Sequence, residues 1–330
     1  MEAKRAASVF GFSLLILVAV TALAPLVGSA SISFTKAFAG ESPDKEILFF
    51  ARLPRVLMAL LAGMALSTGG VLFQALLRDA LATPYTLGVS SGASLGAVVA
   101  IVFGLREIGN VSTLWLFAFL GAAATLAIVL GIASEGRRIS SFTLLLSGVT
   151  INSICLALIL FLQNLTSFGR SLSIMRWLMG GIDSESYSTL LWLAAVVFPV
   201  CVFIFWRSRQ WNLLAVGDEW AAARGIEVRR AMLEGYFAGS ILAGAVTSLT
   251  GPIGFVGLIV PHALRLKLGA DHRVLIPAAA LLGAAFLILC DMFARVVLSP
   301  VEIPVGVITA MLGGPFFIWL LKSKRRSLWL

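Results

Sequence analysis

Residues 251–268 read GPIGFVGLIVPHALRLKL. The stretch is apolar enough for a membrane core, yet it carries Pro252 and Pro261, glycines at 251, 254 and 257, and His262, one of only two histidines in the chain. Proline lacks the N–H that a helix interior needs, and irregular backbone is tolerated at membrane depth only where protein or a cavity covers it. The segment therefore reads as a short, broken span inside a larger bundle.

The rest of the chain agrees with a membrane setting. Of its 330 residues 59% are hydrophobic and 12% charged, and the mean hydropathy is +1.00. So much apolar surface needs lipid to cover it, which excludes an ordinary water-soluble domain. Taking roughly 20 apolar residues per crossing, ten spans are expected near 9–30, 55–77, 86–104, 113–134, 142–164, 189–206, 231–250, 253–268, 274–298 and 304–321. The expected fold is an all-α polytopic membrane protein, a single transmembrane domain over 1–330. The first apolar run follows Lys4 and Arg5 and ends in Gly28, Ser29 and Ala30, as a secretory signal would. Its length favours a retained span.

Charge sets the orientation. With the amino terminus inside, 17 of the 25 Lys and Arg fall on inner segments, while the 16 Asp and Glu divide evenly. The formal net charge of +9 is then explained by the enrichment of basic residues on the cytoplasmic side, with both termini cytoplasmic. No nucleic-acid partner is needed. Cys155, Cys201 and Cys290 are an odd number without paired or metal-ligand spacing and read as small apolar fillers.

Several motifs bear on chemistry. Gly88, Gly92 and Gly96 in GVSSGASLG lie on one helix face, where a neighbouring helix can come close; Gly235 and Gly239 repeat the spacing. Gly88–Gly92 also fits G-x-S-x-G, so Ser90 with His262 defines a minor alternative, an intramembrane serine hydrolase. A secondary transporter is a second alternative, although ionisable residues are not scattered deep in several spans, and Asp291 and Glu234 sit near expected span ends. No Gly-Lys dipeptide occurs, so a P-loop of the G-x-x-x-x-G-K-[ST] kind is absent. No metal-ligand cluster and no catalytic set are expected.

The longest inner connection, RSRQWNLLAVGDEWAAARGIEVRR at 207–230, holds five arginines and a helix-prone DEWAAAR between Gly217 and Gly225. Asp218 is suited to cap that helix and Gly225 to end it. On sequence physics alone the helix could lie on the membrane or dock a partner.

Five stretches carry a resemblance: RLPRVLMALLAGMALSTGGVLFQALLRDALATPYTLGVSSGAS (52–94), AVGDEWAAARGIEV (215–228), GPIGFVGLIVPHALR (251–265), ADHRVLIPAAALLGA (270–284) and PVEIPVGVITAMLGGPFFIWLL (300–321). In this order they resemble the signatures of the FecCD-type permeases, membrane subunits of type II ABC importers for cobalamin, iron-siderophores and haem. The resemblance covers about 10–322. It implies a homodimer in the bacterial inner membrane, two cytoplasmic ATPase subunits that use ATP and Mg, and an external substrate-binding protein, with no cofactor bound by this chain. Iron-siderophore or haem ranks above cobalamin as cargo.

By the same resemblance, Asp218, Glu219, Ala222, Arg224 and Gly225 in 207–230 would dock the ATPase. Arg52, Arg55 and Arg295 would meet the binding protein, the alternative being interfacial anchoring. Asp79, Leu81, Ser140 and Ser141 would form the inner gate, where relatives commonly read Asn-Pro in place of Asp79-Ala80. On the fifth span, Thr143, Ser147, Thr150 and Asn152 either line the path or bond neighbouring helices. His262 is expected to serve packing or polar capping.

Overall fold

The computed structural model describes residues 2–28, 32–105, 112–135 and 138–323. Ser29 and Ala30, and Arg106, Arg137, Lys324, Arg325 and Arg326 among the basic residues counted above, lie outside the described residues. The chain is helical almost throughout: α1 (Glu2–Leu23), α2 (Phe34–Ala39), α3 (Asp44–Glu46), α4 (Leu53–Leu77), α5 (Val89–Val102), α6 (Thr113–Ala133), α7 (Ser141–Asn164), α8 (Phe168–Leu178), α9 (Tyr187–Trp206), α10 (Ser208–Val216), α11 (Asp218–Ala223), α12 (Val228–Thr250), α13 (Val256–Leu268), α14 (His272–Val296) and α15 (Val305–Ser323). A two-residue antiparallel ladder pairs Ser134–Glu135 with Arg138–Ile139 between α6 and α7.

Each expected span coincides with a helix, but among the described residues seven helical stretches are long and apolar enough to cross a membrane. The others, α5, α13 and α15, are shorter apolar helices or carry charge near one end. Two of these begin later than the hydropathy suggests. Before α5 the chain makes a short 3-10 turn over Pro84–Leu87 and swings through Gly88 at φ +78°. Before α13 it leaves α12 at Gly251 and runs unwound to Phe255, which stands at φ +68°. A bulky residue in this left-handed region costs on the order of 1–2 kcal/mol.

The centre of the bundle is α4, buried on nearly every side and touched by α9, α10, α12, α13 and α14. Its small residues permit this. A Cβ on Gly63 would lie 2.3 Å from the Gly283 carbonyl oxygen of α14, and one on Gly70 would lie within 1.9 Å of the Gly257 oxygen of α13. Where lipid is as apolar as leucine, such close backbone contact supplies the dispersion energy that holds helices together. The glycine face of α5 works in the same way: Gly92 and Gly96 lie against the Gly121 and Phe117 carbonyls of α6. Gly235 and Gly239 instead receive the side chains of Leu76 and Phe73. On the periphery, α1, α7 and α9 are exposed over most of their apolar surface.

Pro261 sits inside α13 and cannot bond the Gly257 carbonyl four residues back. That oxygen accepts from Gln74 Nε2 of α4 at 3.3 Å. The break that opens the sequence reading is thus compensated by a side chain from the central helix.

Candidate functional site

Two ends and a series of hollows carry the polar groups. At the carboxyl end of α4, Arg78 turns left-handed at φ +53° and forms an ion pair with Asp218 of α11. Asp218 is therefore the first residue of the helix, paired in trans, while Gly217 takes the cap position without a side-chain bond; the expected capping by Asp218 is not seen. Gly225 does end the segment, at φ +82°, with its N–H donated to Ala222 at 2.9 Å. Ala221 is buried beneath the helix, whereas Glu219, Trp220, Ala222, Arg224 and Gly225 are exposed. Trp220 and Arg224 are thus both exposed on a segment seated by one buried alanine.

The platform under it is firm. Trp211 is fully buried, donating Nε1–H to the Ile204 carbonyl at 2.7 Å. Asn212 donates to Asp271 at 2.8 Å and accepts the His272 N–H at 2.9 Å, which ties α10 to the start of α14. Burial would raise the Asp271 carboxyl, but the Asn212 amide, the Arg273 N–H and the nearby Arg273 charge hold it below the ordinary carboxylate range.

The expected gate residues adjoin this platform. Asp79 accepts the Leu81 N–H at 2.8 Å, an Asx turn that bends the loop without a proline. Leu81 is exposed, and Ser140 caps α7 by accepting the Thr143 N–H at 3.2 Å, with Ser141 next to it as the first helical residue. Because Arg78 immediately precedes Asp79, the pair with Asp218 joins this loop to α11.

From the middle of the bundle to the opposite end of α4 run three adjoining hollows. One of about 430 Å³ lies among the turn before α5, α7 and the unwound segment; Ser90, Ser91, Ser94, Thr83, Tyr85 and Asn152 line it. It shares Leu178, Pro252, Gly254 and Phe255 with a second of about 540 Å³, which reaches Gly306 and Met311 on α15. Met179 links that one to a more polar vestibule of about 610 Å³ containing Arg55, Arg176, Asp183 and Glu302. The unwound segment is held between them: Tyr85 Oη donates to the Ile253 carbonyl at 2.7 Å, and Gly181 N–H to Thr250 at 2.8 Å.

Of the four α7 residues expected to line a path, only Asn152 reaches the hydroxyl-lined hollow. Ser147 is buried with its hydroxyl donated to Leu144 at 3.0 Å, and Thr150 donates to Leu146 at 2.9 Å on an exposed face. Thr143 donates its hydroxyl to Ser140 at 2.9 Å. The serines of α5 line the hollow although GVSSGASLG reads from sequence as a packing face; the polar i, i+4 pair Ser90 and Ser94 is the signal that marks them.

At the vestibule end the three arginines are largely enclosed. Arg55 pairs with Asp291 at 2.9 Å and Glu302 at 2.5 Å, and Arg295 pairs with Asp291 at 3.1 Å. Arg295 also donates to the Val27 carbonyl at 3.0 Å, and Arg52 to that of Pro25 at 2.8 Å, which fastens the end of α1. Arg52 and Arg295 are 6% and 3% exposed and form an internal clamp with Arg55 at its edge.

The hydrolase alternative has no support in this geometry. Ser90 follows a 3-10 turn in place of a strand, and its hollow contains no histidine. His262 packs edge-on against Phe316 and Phe317 of α15, at 6.3 Å between ring centres. Among the described residues no three His, Cys, Asp or Glu side chains gather as metal ligands.

The chain resembles known proteins in sequence and fold. Residues 14–323 match the sequence profile of the FecCD transport family. The hemin transport system permease HmuU of Yersinia pestis is 37% identical over 321 residues, 96% of each chain. The vitamin B12 import permease BtuC of Escherichia coli O9:H4 is 40% identical over 279 residues, 83% of each chain. A solved structure described as a metal-chelate type ABC transporter in an inward-facing conformation superposes with a TM-score of 0.85 at 30% identity, covering 96% of this chain and 99% of that one. A broken α13, a tethered inner helix and a path of hollows thus accompany sequence likeness over nearly the whole length, and the chain belongs to the FecCD transport family of ABC-importer permeases.

Proposed function

We propose that two copies of this chain form the membrane path of an importer that carries a metal chelate across the bacterial inner membrane. All ten apolar segments then sit in the bilayer, both termini are cytoplasmic, and α11 faces the cytoplasm. Two ATPase subunits dock on α11, and a substrate-binding protein delivers cargo at the vestibule end. The observation that carries this reading is the link from exposed Trp220 and Arg224, through Asp218 and Arg78, to the loop after α4. A partner pushing on α11 would move that loop and with it the central helix.

The exposed apolar faces of α7 and α15 supply the surface for the second copy, with the hollows opening between them. Cargo is drawn from what the relatives' names state, hemin and vitamin B12, and from the metal-chelate class of the structural relative. The family signatures place iron-siderophores in the same class.

The test is uptake by proteoliposomes holding this permease, its ATPase and its binding protein. Accumulation of a chelate should require ATP and all three components. ATP-independent accumulation by the permease alone would indicate a secondary transporter and overturn the proposal.

A further inference from the structure

Ser90 and Ser94 are 7% and 4% exposed, stand one helical turn apart on α5, and line the 430 Å³ hollow. A serine inside a membrane helix ordinarily returns its hydroxyl to the carbonyl three or four residues back. Ser91 does so, donating to Gly88 at 2.9 Å, as do Ser147 and Thr150 on α7. Ser90 and Ser94 form no such bond and no other hydrogen bond among the described residues. Across the hollow, the Asn152 amide is held by the Tyr85 carbonyl at 3.4 Å through Nδ2, which leaves its oxygen as an acceptor. Both serines line the hollow, so their hydroxyls and the Asn152 oxygen are open to a polar group that enters it.

The lining also has a chemical sign. Among the described residues it contains hydroxyls, an amide and apolar carbons, with no Lys, Arg, His, Asp or Glu. Tyr85, whose phenol could ligate iron, commits its hydroxyl to the Ile253 carbonyl, and none of the described lining residues carries a charge to neutralise an ionised group taken from water. We infer that Ser90, Ser94 and Asn152 form a hydrogen-bonding subsite for the uncharged polar periphery of a coordinatively saturated chelate: amide, hydroxyl or hydroxamate groups. The subsite rests on the importer reading above and deepens it. It selects by the edge of the chelate, leaving the metal untouched, and it favours an uncharged edge over one with ionised carboxylates.

The test compares a ferric trihydroxamate of uncharged periphery with haem, whose two propionates are ionised, in the three-component proteoliposomes. Wild-type protein should take up the trihydroxamate in preference. Ser90→Ala with Ser94→Ala should lower trihydroxamate uptake about tenfold, the loss expected for one or two hydrogen bonds, and should change haem uptake much less. These substitutions remove oxygens without adding volume, so the assembled complex should form in wild-type amount. As a second readout, Ser94→Cys in a chain with the three native cysteines replaced should be protected from maleimide by trihydroxamate. Equal falls for both cargoes, an unchanged ratio, a wild-type preference for haem, or no protection would overturn the subsite while leaving the importer intact. Uptake of neither cargo would overturn the chelate-import reading and the subsite together.

Discussion

At the scale of single residues, Gln74, Gly70, Gly257 and Pro261 form one unit. Pro261 removes the donor for the Gly257 carbonyl, Gly70 lets α4 come close enough, and Gln74 provides the replacement N–H. Gln74→Leu keeps the bulk and strands the oxygen, which should cost about 1–3 kcal/mol. Thermal unfolding of the purified protein in detergent should show the lower midpoint. Adding Pro261→Ala restores a backbone donor and should recover part of the loss, whereas Gly70→Ala should prevent stable folding altogether. A Gln74→Leu midpoint equal to wild type would show that the carbonyl has another partner. Sequence alone revealed that the helix must break here, because proline and glycine announce themselves. It did not reveal what repairs the break, since Gln74 lies 183 positions from Gly257.

At the scale of elements, the long apolar helices were legible because length and hydropathy suffice to define them. The short ones were read too long at their starts: Gly88 and Phe255 end the regular backbone, and the apolarity around them continues regardless. Amphipathic α8, with Phe168 exposed and Ile174 buried, was not foreseen because it is too short and too mixed to register as a span. In the inner connection the helix and its terminating glycine were visible, but the partner of Asp218 was not. The Arg78–Asp218 pair is part-exposed on both sides, 36% and 45%, so its stabilising effect should be at most about 1 kcal/mol. Its consequence should appear in coupling. Asp218→Ala should leave the unfolding midpoint nearly unchanged and reduce ATP-driven uptake severalfold, and exchanging the charges with Arg78→Asp and Asp218→Arg should recover part of it. Full uptake by Asp218→Ala would remove this pair from the coupling path.

At the scale of the whole molecule, the vestibule end joins topology to an internal charge network. Arg52, Arg55 and Arg295 sit where external residues belong, and a family signature assigns them to docking, yet their guanidinium groups bond Asp291, Glu302 and the carbonyls at the end of α1. Burial of Asp291 on α14 was not readable, because its two cations come from α4 and from one turn along its own helix. A charge reversal at Arg295 would therefore put a second carboxylate beside Asp291 and disturb the fold whether or not a partner ever touches it. The structural role can be separated from docking by removing charges in pairs. Breaking a buried network from one side costs about 3–5 kcal/mol, whereas replacing both partners by apolar groups is often close to neutral. Asp291→Leu alone should lower the unfolding midpoint strongly, since Arg295 is 3% exposed and would lose its carboxylate. Asp291→Leu with Arg295→Met should recover most of the stability. Glu302→Gln leaves both of those residues in place and releases Arg55 from its exposed partner, so stability should hold while the binding protein docks at least as fast, more so at low salt, where exposed charges act over more than about 10 Å. If the double variant is as unstable as Asp291→Leu, the clamp contributes through something other than its charges; if it is stable and still fails to dock the binding protein, Arg295 is itself part of the contact.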